Sequence, residues 1–182
     1  MVVDMLNYGA EAQRKASYNL DDLATSKLTE AQKAFATQTV TLTNELVKNG
    51  TYDFDYKANV KMVSNIQFVM AFTGINQNMK AVVTYTKWNG KAQDPIIIEG
   101  KDFVKSGSYH YFTIEETVIA DGRQSINCKI YDGDTVVAEV TDSIASYAYR
   151  ARENTDSTLY EAIMKFSDSA KAYLSVKNEI KN

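Results

Sequence analysis

The chain has 182 residues, of which 45% are hydrophobic and 24% charged, so it has enough apolar material for a folded core. Its net charge of −3 argues against a nucleic-acid-binding protein, because such proteins usually carry a basic face. One Cys and one His exclude an intrachain disulfide and a Cys/His zinc cluster. No apolar run approaches the roughly 20 residues that cross a bilayer, so we expect no membrane insertion. The sequence predicts neither a cofactor nor a metal site.

The first predicted element is a helix over residues 2–16. Apolar and small residues recur there at helical spacing, namely Val2, Met5, Leu6, Gly9, Ala12 and Ala16. Residues 1–4 enter this pattern without a capping Ser, Thr or Asp ahead of them, so we expect the natural chain to continue upstream. Further along, Thr29 and Gln32 form a capping box that predicts a short helix to about Phe35.

Alternating apolar residues then predict a series of β-strands. The clearest pattern is Val60–Phe72, which we expect to be one long strand with a bulge or bend near Ser64-Asn65. Asn89-Gly90 predicts a type I′ hairpin turn, and Pro95 marks a strand start or an edge strand. Similar alternation occurs in Thr39–Val47, Met79–Tyr85, Phe112–Ala120, Ile126–Ile130 and Val136–Val140.

Two helices are predicted after the strands. Asp142 or Ser143 caps the first, and Thr155-Asp156-Ser157 begins a longer amphipathic one. The apolar face of the longer helix comprises Leu159, Ile163, Phe166, Ala170 and Tyr173. Seven or eight short antiparallel strands with flanking helices predict a mainly β, α+β fold, with a β-sandwich, an N-terminal helix and two C-terminal helices.

One short pattern occurs twice, in Met5–Gln13 and in Ile163–Lys171. Each copy reads apolar, apolar, polar, aromatic, small, with an Ala four residues after the aromatic. Met5 aligns with Ile163, an offset of 158 residues. If each module ends in such a helix, residues 1–24 are the tail of a preceding module and residues 25–182 form one β-sandwich module closed by helices. The alternative is that two amphipathic helices of one fold share a core pattern by chance.

The residues of this pattern also carry a resemblance to a known group of proteins. The N-terminal segment comprises Met5-Leu6-Asn7-Tyr8-Gly9-Ala10-x-Ala12-Gln13 and Tyr18-Asn19-x-Asp21-x-Leu23-Ala24. A companion segment comprises Tyr111-Phe112, Ser143-Ile144-x-Ser146-Tyr147-x-Tyr149-Arg150 and Phe166-x-x-x-Ala170-x-x-Tyr173-Leu174. Both resemble recurring segments in large surface or secreted proteins of Clostridia and related gut Firmicutes.

The resemblance implies an Ig-like β-sandwich closed by a helix, an extracellular or cell-surface location, and neighbouring modules of the same polypeptide as partners. It brings no settled activity, and it does not extend to the strands of residues 37–107. Ser167-Asp168-Ser169 stands where the first copy has Gly9-Ala10-Glu11, so the two helices need not pack alike. The favoured function is a noncatalytic structural, spacer or adhesion module of a bacterial multidomain protein.

A carbohydrate-binding module attached to a glycan-active enzyme is the alternative function. The chain has one Trp and 12 Tyr, and aromatic rings stack on sugars. Trp88 lies at the predicted hairpin tip, where it is placed to stack on a glycan, with Tyr85 nearby. Aromatic pairing across the hairpin is the simpler interpretation of both residues.

No catalytic residues are predicted. His110 shows no recognisable Ser–His–acid or Cys–His spacing, so we interpret it as partly buried and structural. Glu115 and Glu116 would point to opposite faces of a strand and cannot act as a pair, and Glu116 is expected to reach water. Asp132-Gly133-Asp134 falls short of a calcium loop and predicts a hairpin turn, while Cys128 is expected to be buried.

Overall fold

The computed structural model describes residues 1–34, 40, 43–62, 66–152 and 157–179. The helices are α1 (Val2–Ala16), α2 (Glu30–Lys33), α3 (Ile144–Arg152) and α4 (Ser157–Glu179). The strands are β1 (Leu46–Lys48), β2 (Tyr56–Met62), β3 (Ile66–Phe72), β4 (Met79–Tyr85), β5 (Ile96–Glu99), β6 (Val104–Ser106), β7 (Tyr109–Ile114), β8 (Ile126–Asp132) and β9 (Thr135–Asp142). Short 3₁₀ turns lie at Gly100–Asp102 and Ile119–Asp121. The predicted combination of β structure with N-terminal and C-terminal helices is confirmed.

The described strands form two antiparallel sheets. Sheet A has the order β1-β9-β8-β4-β5, and sheet B has the order β2-β3-β7-β6. One buried cluster draws side chains from both sheets and from α3 and α4, among them Phe68, Met70, Val83, Ile130, Ile144 and Ile163. β5 lies at the edge of sheet A and follows Pro95, as the sequence predicts.

The alternating stretch Val60–Phe72 is a hairpin, so the prediction of one long strand was wrong. β2 and β3 pair antiparallel, with Met62 opposite Ile66. In this register even-numbered residues face even-numbered residues, so the apolar phase continues unbroken through the reversal. Periodicity alone therefore gives no sign of the turn. The bulge expected at Ser64-Asn65 falls outside the described residues.

The hairpin at Asn89-Gly90 exists, but its turn type differs from the prediction. β4 and β5 pair antiparallel across it, and Gly90 has a φ of 81° whereas Asn89 is not among the residues with positive φ. The Lys87 N–H donates to the Lys91 carbonyl at 2.8 Å, which closes a three-residue loop. In such loops one left-handed residue follows an ordinary turn, so a single glycine is enough.

Two other strand predictions were too long. β7 ends at Ile114, although the alternation continues to Ala120, and a 3₁₀ turn replaces its last part. The Thr117 hydroxyl donates to the Ile66 carbonyl at 2.7 Å and holds this segment against β3. Of the predicted strand Thr39–Val47, β1 begins at Leu46, and residues 39, 41 and 42 fall outside the described part of the chain.

The segment Leu159–Met164 of α4 is buried on every side. Each of the six residues Leu159–Met164 is buried, which is typical of a helix inside a protein rather than on its surface. α1, α3 and the 3₁₀ turn at Ile119–Asp121 all pack against α4. After Ala170 the helix reaches solvent, and Tyr173 is exposed although its spacing placed it on the apolar face.

α1 packs along α4 and brings the two copies of the repeated pattern together. The rings of Tyr8 and Phe166, which occupy equivalent positions in the two copies, stack with 5.7 Å between their centroids. The Ser169 hydroxyl donates to Asp4 Oδ2, so the contacts run in opposite chain directions. An aromatic pair of this kind contributes about 0.5–1.5 kcal/mol beyond the area it buries. The two copies therefore stabilise each other directly.

Gly122 marks a close approach to α4 and provides a test of this packing. A Cβ at this position would lie 2.5 Å from Ser167 Oγ, while the backbone is right-handed, so space and not φ requires the glycine. We expect Gly122→Ala to lower the free energy of unfolding by about 1–3 kcal/mol in urea denaturation, as overpacking usually does.

The matched control is Ser167→Gly, which removes Oγ and Cβ of Ser167, the two atoms that would lie nearest to the new methyl group. The glycine itself costs about 1 kcal/mol in a helix. We expect the double variant to be more stable than the sum of the two single losses predicts. Strictly additive losses would show that the two residues do not meet.

Candidate functional site

The two predicted sugar-stacking residues lie in different environments. Tyr85 ends β4 and is 5% exposed, and its hydroxyl has no hydrogen-bond partner among the described residues. Burial raises the pKa of this phenol, and Lys87 Nζ lies 5.3 Å from the ring centroid. Trp88 is partly buried in the hairpin loop. Tyr85 thus belongs to the core, and sugar stacking on Trp88 stays a prediction.

A buried carboxylate that the sequence did not single out fixes this hairpin. Asp121 Oδ1 accepts the backbone N–H of Trp88 at 2.7 Å, and Oδ2 accepts that of Val118 at 3.0 Å. Lys87 Nζ lies 3.6 Å from Oδ2. A buried carboxylate with several donors is well satisfied, so Asp121 has a structural role.

His110 and Glu116 have the structural settings that the sequence predicted. His110 lies near the start of β7, opposite Phe72 on one side and Lys105 on the other, and is partly buried. Its Nδ1 is buried and has no hydrogen-bond partner among the described residues. Glu116 is exposed beyond the end of β7, where its carbonyl accepts a hydrogen bond from Lys87 Nζ.

The remaining two candidates also have the local settings that the sequence predicts. Asp132-Gly133-Asp134 forms the turn between β8 and β9, as predicted, and Asp132 accepts a hydrogen bond of 2.8 Å from the Tyr52 hydroxyl. Cys128 is buried in β8, as predicted. Within the described ranges, no group of three or more His, Cys, Asp or Glu residues is arranged to hold a metal ion. No described helix has the length and apolar character needed to cross a membrane.

Gln13 of the N-terminal motif forms a clamp around the segment that follows α1. Gln13 Oε1 accepts the backbone N–H of Ala24 at 2.7 Å, and Nε2 donates to the carbonyls of Asn19 and Asp22 at 3.3 and 3.0 Å. Asn19 has a φ of 48°, a left-handed conformation that Asn tolerates better than most residues. One glutamine side chain thus holds the segment from residue 19 to residue 24.

Other motif residues bring this segment close to α1. The Tyr18 N–H donates to the Gln13 carbonyl and the Ser17 N–H to the Arg14 carbonyl, which is a Schellman ending of α1. A Cβ on Gly9 would lie 3.2 Å from Ala24 Cβ, so the glycine permits the contact. These residues hold the α1 region together, so the motif has a structural role.

A concavity of about 540 Å³, here called the tyrosine groove, lies on sheet B. Its long side chains are two lysines and three tyrosines: Lys57, Lys61, Tyr109, Tyr111 and Tyr147. The even-numbered residues Phe68, Met70 and Phe72 of β3 point into the core, so the groove occupies the opposite, outer face of the sheet. Its volume lies within the range of about 300–1,000 Å³ that is usual for small-ligand sites.

The strand register gives the groove its shape. Ala71 on β3 lies between Lys57 on β2 and Tyr111 on β7. Two residues earlier, Val69 lies in the same central position, between Asn59 on β2 and Thr113 on β7. Short side chains on the middle strand between longer ones on both neighbours produce a channel that follows β3.

The two lysines lie across this channel on the tyrosine rings. Lys57 Nζ is 4.5 Å from the Tyr109 ring centroid, and Lys61 Nζ is 5.6 Å from that of Tyr111. Lys61 Nζ also donates to Thr113 Oγ1 at 2.9 Å. Neither lysine forms a salt bridge with a carboxylate in the described part of the chain. Exposed cation–π contacts contribute about 0.5–1 kcal/mol, so a ligand can displace these ammonium groups.

Hydrogen bonds orient two of the three tyrosine side chains of the groove. The Tyr109 hydroxyl donates to Asp55 Oδ2, and the Tyr147 hydroxyl donates to Asn59 Oδ1 at 3.0 Å. The bond from Tyr109 is the main cause that lowers the pKa of the Asp55 carboxyl below its usual range, and the charge of Lys57 adds to it. The rings are therefore held in place before any ligand binds.

A second concavity, of about 260 Å³, shares Lys57 and Tyr147 with the groove and adds Arg150. The Arg150 guanidinium donates to both oxygens of Asp142, at 3.1 and 2.6 Å. Asp142 is 0% exposed and also accepts the Tyr56 hydroxyl at 3.0 Å. Burial is the first cause that raises the pKa of the Tyr56 phenol, with the Asp142 charge next. This network joins β2, β9 and α3 beneath the groove.

Removal of the Asp142 carboxylate tests this network. Asp142→Ala leaves the guanidinium of Arg150 and the hydroxyl of Tyr56 without this acceptor, and we expect it to lower the free energy of unfolding by about 3–5 kcal/mol. Asp168→Ala is the control, since its pair with Arg123 is partly exposed and should contribute about 1 kcal/mol or less. Similar losses in urea denaturation for the two variants would contradict a special role for Asp142.

The thiol of Cys128 provides a second test of the core. Burial raises its pKa, and the thiolate is the reactive form, so the native protein should be nearly inert toward Ellman's reagent at pH 8. We expect reaction only through unfolding, with complete labelling in denaturing urea and faster labelling of Gly122→Ala than of the unaltered chain. Rapid labelling in native buffer would show that β8 is accessible.

No protein-family model matches the chain, and no curated protein matches its sequence significantly. The resemblance to segments of bacterial surface proteins therefore stays a prediction. Two features of the geometry bear on function, namely the α1–α4 interface and the tyrosine groove.

Proposed function

We propose that this chain is a noncatalytic structural, spacer or adhesion module of a bacterial cell-surface or secreted multidomain protein. In this proposal sheets A and B form an Ig-like β-sandwich closed by α3 and α4. Its partners are neighbouring modules of the same polypeptide. Residues 1–24 belong to the preceding module, whose closing helix is α1.

A difference in exposure between the two copies of the repeated pattern carries this proposal. Val2 and Met5 of α1 are 59% and 43% exposed. Their equivalents in α4 are Tyr160 and Ile163, which are 7% and 1% exposed and belong to the buried cluster shared with the sheets. α1 therefore exposes the apolar positions that α4 buries against a β body.

This difference in exposure supports the proposal that α1 naturally packs against a β body of the same kind as the one that covers α4. Single exposed apolar residues are common on protein surfaces and need no explanation by themselves. In this chain, however, the equivalent positions of α4, Tyr160 and Ile163, are covered by the sheets. The opposite face of α1 is already used, because Ala10 is buried and Asn7 Nδ2 donates to the Gln32 carbonyl at 2.8 Å.

A tandem protein tests the proposal directly. In it, residues 25–174 of a first copy run on into residues 17–182 of a second, so that α4 of the first copy takes the place of α1. The first copy carries Ser167→Gly, Asp168→Ala and Lys171→Gln, which supply the residues that α1 has at Gly9, Ala10 and Gln13. We expect small-angle scattering to fit one fixed arrangement of the two bodies, because two Phe166 rings replace the Tyr8–Phe166 stack.

Substitutions in the first copy show whether the helix pair holds the bodies. Phe166→Ala should loosen the arrangement, whereas Ile97→Ala, an exposed apolar position on the edge strand β5, should leave it unchanged. If the two bodies move independently in the tandem protein without these substitutions, the module proposal is contradicted. An enzymatic activity of the chain that one substitution abolishes would contradict its noncatalytic character.

A second candidate function is a carbohydrate-binding module attached to a glycan-active enzyme. The tyrosine groove favours it, because partly exposed and oriented tyrosine rings offer apolar faces with polar edges. Trp88 is the position that the sequence predicts for sugar contact. On a glycan array, Tyr111→Ala should abolish binding if the groove is the platform, and Trp88→Ala should do so if the hairpin is. Absence of binding at millimolar sugar would count against both.

A further inference from the structure

We propose that the tyrosine groove binds an acidic glycan, a chain of sugar rings that carry carboxylate groups. The inference rests on the carbohydrate-binding candidate and adds to it the site and the charge of the ligand. Three properties of the groove support it: its local charge, its oriented rings, and the position of its lysines.

The local charge of the groove is opposite to that of the chain. The chain carries a net charge of −3, yet the charged groups that line the two concavities are Lys57, Lys61 and Arg150. No described lining residue of either concavity is a carboxylate; Asp55, which lies next to the lining, accepts the Tyr109 hydroxyl and interacts with the charge of Lys57. Arg150 is paired with Asp142, whereas the two lysines are without a salt-bridge partner in the described ranges. Two available ammonium groups in an otherwise acidic protein favour an anionic ligand.

The uncharged groups of the groove suit sugar rings. The Tyr109, Tyr111 and Tyr147 side chains present apolar ring surface, and the floor at Val69 and Ala71 is apolar. Asn59 and Ser106 add amide and hydroxyl groups that match sugar hydroxyls. A ligand that combines rings, hydroxyls and carboxylates would use all three kinds of group.

Two other anionic polymers fit less well. An extended peptide usually binds to a sheet by pairing with the backbone of an edge strand. The groove instead follows β3, whose backbone already pairs with β2 and β7. Nucleic acids favour broad basic faces, whereas this groove offers two lysines in a chain of net negative charge.

The position of the lysines makes charge a condition for ring stacking. Lys57 and Lys61 lie over the rings of Tyr109 and Tyr111, and so occupy the surface on which a sugar would stack. A carboxylate on the ligand attracts the ammonium groups and uncovers the rings. A neutral sugar must displace the same groups without any such compensation. The groove therefore discriminates between acidic and neutral forms of the same sugar chain.

The probe is an oligogalacturonate, and its methyl ester is the neutral form of the same chain. Calorimetry on the full chain at low salt should give at least tenfold tighter binding of the acid than of the ester. The preference should decrease as salt is added. The double variant Lys57→Gln, Lys61→Gln should bind both forms alike, because both displaceable charges are gone.

Lys80→Gln is the matched control, because Lys80 Nζ lies 5.7 Å from the Tyr131 ring on sheet A, outside the groove. This variant should retain the preference. Circular dichroism checks that each variant is folded.

Each remaining outcome would overturn the inference in a distinguishable way. Equal binding of acid and ester, or a preference that survives Lys57→Gln, Lys61→Gln, would refute the acidic ligand and leave the carbohydrate-binding candidate intact. Binding of polyglutamate as tightly as oligogalacturonate would refute a glycan and indicate an acidic polypeptide. Failure to bind the acid, the ester and a neutral glycan array would refute both the inference and the candidate function.

Discussion

The segment Leu159–Met164 of α4 must be covered on all sides, and the rest of the structure is arranged to provide that cover. The buried cluster of the sheets, α3, the 3₁₀ turn at Ile119–Asp121 and α1 each pack against this helix. Apolar surface left in water costs about 25 cal/mol per Å². Loss of any one of these packed elements would therefore lower the free energy of unfolding. Gly122 permits a close approach to Ser167 of the helix, and Arg123 forms a partly exposed bidentate pair with Asp168.

Local signals in the sequence predicted local structure well. The bounds of α1, the capping box at Thr29 and the turn at Gly133 depend on neighbouring residues, and the structure has them as expected. The reversal between β2 and β3 was missed because even-numbered residues lie opposite even-numbered residues in the pair, so both strands share one alternating phase. Such a turn becomes visible only when the pairing of the strands is known.

The roles of Asp121 and Asp142 could not be predicted, since each depends on donors brought by distant parts of the chain. Asp142 is satisfied by Tyr56 and Arg150, which come from β2 and α3. The tyrosine groove has the same origin. Its residues alternate with core residues along each strand, which the sequence shows. That Ala71 lies between Lys57 and Tyr111 depends on the order of the strands in sheet B, which the sequence does not show.

The stacking of Tyr8 on Phe166 joins equivalent positions of two similar helices that run in opposite directions. At this aromatic pair the contact is symmetric, because each helix offers the equivalent ring to the other. Because the Phe166 ring of α4 is already stacked on Tyr8, it cannot stack in the same way on a third helix. The contact therefore joins two helices and no more. In a longer polypeptide, modules joined by this contact would be grouped in twos, with flexible or different joints between the groups.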